Sequence, residues 1–138
     1  MVHALERARQ ALLPYSPLVL IQPHQTKRPL VAVTSGGRRQ PVAALLNPTF
    51  EPRLDAAMSA IKMVIDRGRF SQVGTSNHQF RVQLVSPADL RRYVHLAPTP
   101  SRFPAEGRRR LNDLWRSRTD GTRLEVTEFF TVIGLRVA

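Results

Sequence analysis

Apolar residues recur at helical spacing over 2–13, where Leu5, Ala8 and Leu12 share one face and Glu6, Arg9 and Gln10 take the other. Pro14 breaks that helix. Residues 18–22, Leu-Val-Leu-Ile-Gln, form a short apolar run without alternation, which predicts a strand covered on both faces. Residues 30–34 predict another strand, Ser35-Gly36-Gly37 a turn, and 42–45 a return strand. Leu54, Met58, Ile61 and Ile65 repeat at helical spacing behind Pro52, and Gly68 ends that helix.

Further on, 70–73 predicts a short strand and Gly-Thr-Ser-Asn 74–77 a turn. His78, Phe80, Val82 and Leu84 then alternate with polar neighbours as a half-exposed strand. Ser86-Pro87-Ala88-Asp89 is a capping box, with proline at the first helical position of a short helix. Pro98, Pro100 and Pro104 stiffen the 96–104 connection. Pro104 opens a helix with Leu111, Leu114 and Trp115 on one side and arginines around the rest. Asp120-Gly121 turns the chain into a closing strand, 123–137. Its first half alternates, and its second half is apolar on both faces and so expected to be central. The Phe129-Phe130 pair is a candidate bulge where the alternation shifts.

The 138 residues read as a single domain with no repeat and no interdomain linker. Such a length buries about two thirds of its unfolded surface and needs no staple. The absence of cysteine excludes thiolate metal sites, disulfides and cysteine nucleophiles. No apolar run reaches membrane-span length, and the basic-start, apolar-core pattern of a secretory signal is missing, so the expected location is the cytoplasm with no membrane partner.

Charge changes the picture. The net charge is +11, and 19 of the 21 cations are arginine. Such a chain attracts phosphate, and arginine clamps it in bidentate fashion; biased base composition of a genome also produces arginine for lysine. Arg108-Arg109-Arg110 is the sharpest feature, flanked by Arg102, Arg116 and Arg118, with Arg91 and Arg92 on the preceding helix. Arg102, Arg108, Arg109, Arg110 and Arg116 are the polyanion-binding candidates, set against a plain solvated helix face. Trp115 lies on the apolar stripe and reads as core rather than a stacking platform.

No self-contained catalytic constellation is present. His3, His24, His78 and His95 have no metal-ligand spacing, so no metal site is expected. There is no nucleophile elbow, no phosphate loop and no dinucleotide-binding glycine motif.

The helix carrying His3-Ala4-Leu5-Glu6-Arg7-Ala8-Arg9-Gln10-Ala11-Leu12-Leu13-Pro14 is followed by Leu18-Val19-Leu20-Ile21-Gln22-Pro23, and the chain closes on Glu125 to Arg136. In element order this resembles the C-terminal half of a class I S-adenosylmethionine-dependent methyltransferase. Tyr15-Ser16 stands where that family has Gly-Gly, and no residue matches its glycine-rich loop or its ribose-binding acid. The resemblance implies an α/β fold with a partial Rossmann-like methyltransferase sheet, mixed through an antiparallel terminal strand beside 18–22. It implies a half-domain that is not active alone, being degenerate, truncated or dependent on a partner chain. It binds no cofactor by itself, and S-adenosylmethionine only if the missing half is supplied. The alternatives are a small basic nucleic-acid-binding protein and a truncated portion of an active methyltransferase. Gln22 and His24, beyond the carboxyl end of the 18–22 strand, are the substrate-side loop candidates. That strand would lie at an edge, so a homodimer or a partner chain is expected through it or through helix 2–13, unless 30–34 folds back to cover it.

Overall fold

Local chemistry sets most element ends. The Ser86 hydroxyl accepts the Asp89 backbone N–H (3.2 Å) and donates to the Asp89 carboxylate (3.0 Å), closing the capping box ahead of Pro87. Gly68 lies in the left-handed region, its N–H reaches the Ile65 carbonyl, and the Arg69 N–H reaches Val64. That pair of bonds is a Schellman closure. Gly36 and Gly37 both have positive φ, as a two-residue hairpin turn demands.

A computed structural model describes residues 1–96 and 101–138. Pro98 and Pro100 of the expected stiff connection lie outside the described residues. The elements run α1 (Val2–Ala11), β1 (Pro17–Pro23), β2 (Leu30–Ser35), β3 (Arg38–Ala44), α2 (Phe50–Asp66), β4 (Phe70–Leu84), α3 (Pro87–Leu96), α4 (Ala105–Arg116) and β5 (Arg123–Val137). The chain is α/β, with an open five-stranded antiparallel sheet in the order β1-β5-β2-β3 and β4 also pairing with β5.

The chain divides into two compact units. The first comprises 1–25, 50–78 and 130–138; the second comprises 26–49 and 79–129. In the first, Leu5 of α1, Ile61 and Val64 of α2, Phe70 of β4 and Ile133, Leu135 and Val137 of β5 form the core. In the second, Val31, Val33, Leu45, Leu90, Val94, Leu111, Leu124 and Val126 do so, with Leu114 and Trp115 packed against them. Trp115 is thus a core-packing residue, with the Arg118 guanidinium 4.8 Å from its ring centre.

Several expectations need correction. A Rossmann-like sheet is built from parallel strands, whereas β1–β5, β2–β5 and β2–β3 all pair antiparallel. For β2–β3 the reason is connection length: a parallel pair needs a crossover of a dozen or more residues, and only two glycines join these strands. The antiparallel placement of 17–23 against 130–136 is observed. Residues 30–34 pair with β3 and β5, not with β1, so the fold-back hairpin over 18–22 does not form.

β1 is not covered on both faces. Leu18, Leu20 and Gln22 turn inward, while Val19 and Ile21 are 60% and 70% exposed. The Val137 N–H donates to the Ser16 carbonyl (3.0 Å). By alternation, Pro17, Val19, Ile21 and Pro23 point their backbone groups away from β5. Two of those four have no N–H, which blunts the edge.

The predicted turn at 74–77 is instead the middle of β4. Gly74 has no positive φ, Asn77 takes the Thr131 hydroxyl proton (2.8 Å), and His78 stacks on Phe130 at 5.4 Å. Cross-strand partners on β5 override the turn-forming composition. In β5, the fully buried stretch is 124–127, not the apolar end, and Phe129 to Val132 are half-buried. The ladders with β1 and β2 cover 130–136 and 123–127 of β5, so the Phe129-Phe130 pair expected as a bulge falls at the junction between them.

Tyr15, where the methyltransferase resemblance would have glycine, adopts φ 64°. That conformation costs a non-glycine residue roughly 1–2 kcal/mol. The Tyr15 N–H bond to the Val137 carbonyl (3.1 Å) holds it.

Candidate nucleic-acid interface

The capping box starts α3 so that Pro87, Leu90, Arg91, Val94 and His95 fall on one helical stripe. Leu90 and Val94 are buried in the second unit's core, and Arg91 and His95 are exposed beside them. On α4, Arg108, Leu111 and Asn112 repeat the arrangement, with Leu111 buried between two exposed polar residues. Gly107 lets α4 approach β3, since a Cβ there would lie 2.5 Å from that of Ala43. Residues 101–103 form a third wall. Leu46 and Arg102 exchange both backbone hydrogen bonds, which fixes the Arg102 backbone.

Together these elements enclose a cleft of about 620 Å³, within the size range of ligand sites. Its floor is apolar: Leu90, Val94, Phe103 and Leu111. Its rim is Arg91, His95, Arg102, Arg108, Ser101 and Asn112. Among the described residues, no carboxylate lines it. Among the described residues, none of Arg91, Arg102, Arg108, Arg109, Arg110 or Arg116 has an ion-pair partner. A shallower groove lined by Ala88, Arg91, Arg92, His95 and Leu96 shares two of the rim residues.

Three of the second unit's six carboxylates are engaged elsewhere, while Glu106, Asp113 and Asp120 are exposed. Asp89 accepts the Ser86 hydroxyl at the start of α3 and pairs with Arg92 (2.7 Å). Glu125, almost fully buried, holds Arg39 at 2.6 Å and Arg81 at 3.8 Å. Glu128 accepts the Tyr93 hydroxyl at 2.5 Å. Burial and the adjacent Glu128 carboxylate raise the Tyr93 phenol well above its usual range.

Of the arginines singled out in the sequence, the cleft brings together Arg102 and Arg108. Arg109, Arg110 and Arg116 are exposed on α4 outside it. Arg91, His95 and Asn112 were not among the candidates, because only the packing of α3 beside α4 unites them. Gln22 and His24 belong to the first unit and do not line this cleft. Gln22 is inside β1 rather than in a loop, 7% exposed, with its Oε1 buried and without a hydrogen-bond partner; His24 is engaged in an interaction of its own. Among the described residues, no three His, Asp or Glu side chains gather as a metal site, and no helix is long and apolar enough to cross a membrane.

No protein-family model, curated protein or solved structure matches the chain. The functional reading therefore rests on the chain's own residues.

Proposed function

We propose that this chain is a small basic nucleic-acid-binding module, with the α3–α4 cleft and the arginines of α4 as its contact surface. One observation carries the reading: the exposed guanidiniums of Arg91, Arg102, Arg108, Arg109, Arg110 and Arg116 form no ion pair among the described residues, although Glu106 and Asp113 share α4 with them, and no described carboxylate lines the cleft they border. Unpaired arginines beside an acid-free cleft lower the cost of gathering phosphates, and each contact releases condensed counterions. The methyltransferase half-domain reading has less behind it, because the antiparallel sheet departs from the parallel order which that resemblance implies.

The test is a salt titration with DNA and RNA oligonucleotides. The wild type should bind with a log–log salt slope that steepens with the number of phosphates contacted. The triple variant Arg108→Ala/Arg109→Ala/Arg110→Ala should weaken binding similarly across sequences and flatten the slope by about 2. A wild type that binds neither polymer at about 0.1 M salt, where the Debye length is still about 10 Å, sinks the proposal.

A further inference from the structure

Resting on that reading, we infer that the α3–α4 cleft takes an unstacked base of a single strand, so that the protein prefers single-stranded nucleic acid to duplex. Phosphate alone needs cations on a surface. It does not need an apolar hollow. This cleft has both, in the arrangement a nucleotide requires: an aromatic and aliphatic floor of Leu90, Val94, Phe103 and Leu111, with guanidiniums confined to the rim at Arg91, Arg102 and Arg108. A base is an apolar disc with polar edges, and its phosphates lie one sugar away. The floor matches the disc, and the rim matches the phosphates.

The rim also carries neutral hydrogen-bonding groups suited to a base edge. Asn112 offers a donor and an acceptor on one planar amide, His95 a ring nitrogen of either role, and Ser101 a hydroxyl. A bare anion site would gain little from an amide, and an alkyl chain would leave all three unpaired. A duplex keeps its bases stacked inside and cannot offer one to a hollow without paying for flipping. A single strand can, because every base presents a π-face at little cost.

The adjoining groove supports a strand rather than a free mononucleotide. It shares Arg91 and His95 with the cleft and continues along α3 to Arg92 and Leu96. Leu96 is 82% exposed there, an apolar surface available to a neighbouring base.

Fluorescence anisotropy with one twelve-nucleotide sequence, as single-stranded DNA, single-stranded RNA and DNA duplex, tests this. At least one single strand should bind about tenfold more tightly than the duplex, within what one stacked base contributes. A strand carrying 2-aminopurine should change its emission on binding, as a base leaves its neighbours for the cleft. Asn112→Ala and His95→Ala lie on exposed helix positions and leave the fold intact. They should lower single-strand affinity several-fold with the salt slope unchanged, whereas Arg91→Ala should flatten it by close to 1.

Three results would overturn the inference. Equal or tighter duplex binding, with the arginine variants still weakening it, leaves nucleic-acid binding standing and removes the base-accepting cleft. Displacement of the oligonucleotide by a long-chain fatty acid at lower concentration than by a mononucleotide assigns the cleft to an anionic amphiphile. Binding of no oligonucleotide at all removes both the inference and the reading beneath it.

Discussion

Two of the four helix cations of the first unit stand beside a carboxylate, while Arg7 and Arg53 have none at ion-pair distance among the described residues. Glu6 faces Arg9 at 4.0 Å and Arg69 at 3.8 Å, and Lys62 meets Asp66 one turn along α2. That unit holds seven Lys and Arg against four Asp and Glu, a net of +3. The second unit holds fourteen against six, a net of +8, and three of those acids are committed to structure: Asp89 in the capping box, Glu125 in a buried pair with Arg39, Glu128 at a tyrosine hydroxyl. Similar numbers of cations on a helix therefore mean different things. Where a carboxylate sits at ion-pair distance the charge is locally cancelled, and where the carboxylates are committed elsewhere it is presented to the surroundings. The net charge of the chain does not distinguish these cases; the placement of its few acids does.

Gly107 of the second unit and Gly134 of the first differ in how closely they are packed, and that difference gives the largest expected effect. Gly107→Ala puts a methyl 2.5 Å from the Ala43 Cβ, so α4 must move off β3. Helix propensity favours alanine by about 1 kcal/mol, but overpacking costs about 1–3 kcal/mol. The net outcome is destabilisation by about 1 kcal/mol, read as a lower urea midpoint. Gly134→Ala in the first unit meets nothing nearer than 3.8 Å and has no positive φ. It should be neutral or raise stability by about 0.5 kcal/mol through the unfolded chain. A tolerant Gly107 and an intolerant Gly134 would reverse this contrast.

The commitment of Glu128 has a signature in alkaline solution. Tyr93 is held protonated in the folded state beyond its unfolded range of about 10. Above that pH the unfolded chain loses the phenolic proton first, so stability is intact below pH 10 and falls as pH rises. Denaturant midpoints between pH 8 and 11 should decline above 10 in the wild type and decline less in Tyr93→Phe. Parallel curves for the two proteins would mean that the Tyr93–Glu128 contact does not hold the proton.

Much of this architecture is legible in sequence because short-range chemistry writes it. The capping box at Ser86, the Gly-Gly hairpin and the glycine after α2 each satisfy backbone groups within a few residues, and all three stand where the sequence puts them. The strand misreadings share a different cause. Gly-Thr-Ser-Asn at 74–77 has turn composition, yet β5 supplies partners more than fifty residues away. Glu125 reads as a solvent-facing residue between Leu124 and Val126, and it is buried because Arg39 and Arg81 cover it. The candidate site follows the same rule. Consecutive arginines at 108–110 are visible by eye, but only Arg108 reaches the cleft, beside Arg91 and Asn112, which no local pattern associates. What the sequence withholds is which side chains meet across helices, since that is decided by packing α3 and α4 over one core.

The smallest expected effect is the most direct probe of the comparison between the units. Lys62 on α2 and Arg108 on α4 are both helix-surface cations. Lys62 is paired with Asp66, with the two side chains 76% and 59% exposed, and lysine lies N-terminal to its acid, the weaker orientation of such pairs. Removing it by Lys62→Ala should change stability by no more than about 0.5 kcal/mol. It should also leave oligonucleotide affinity and salt slope nearly where they were, because Lys62 lines neither the cleft nor its adjoining groove and no phosphate contact is lost with it. Arg108→Ala removes the same formal charge from a position with no acid at ion-pair distance among the described residues, and it should flatten the salt slope by close to 1. The two variants measured side by side, in the same buffer and with the same oligonucleotide, share every effect of lowering the net charge from +11. An equal loss from both would mean that the protein is attracted to nucleic acid by its total charge. Only an unequal loss supports a surface on the second unit, with Arg108 as part of it.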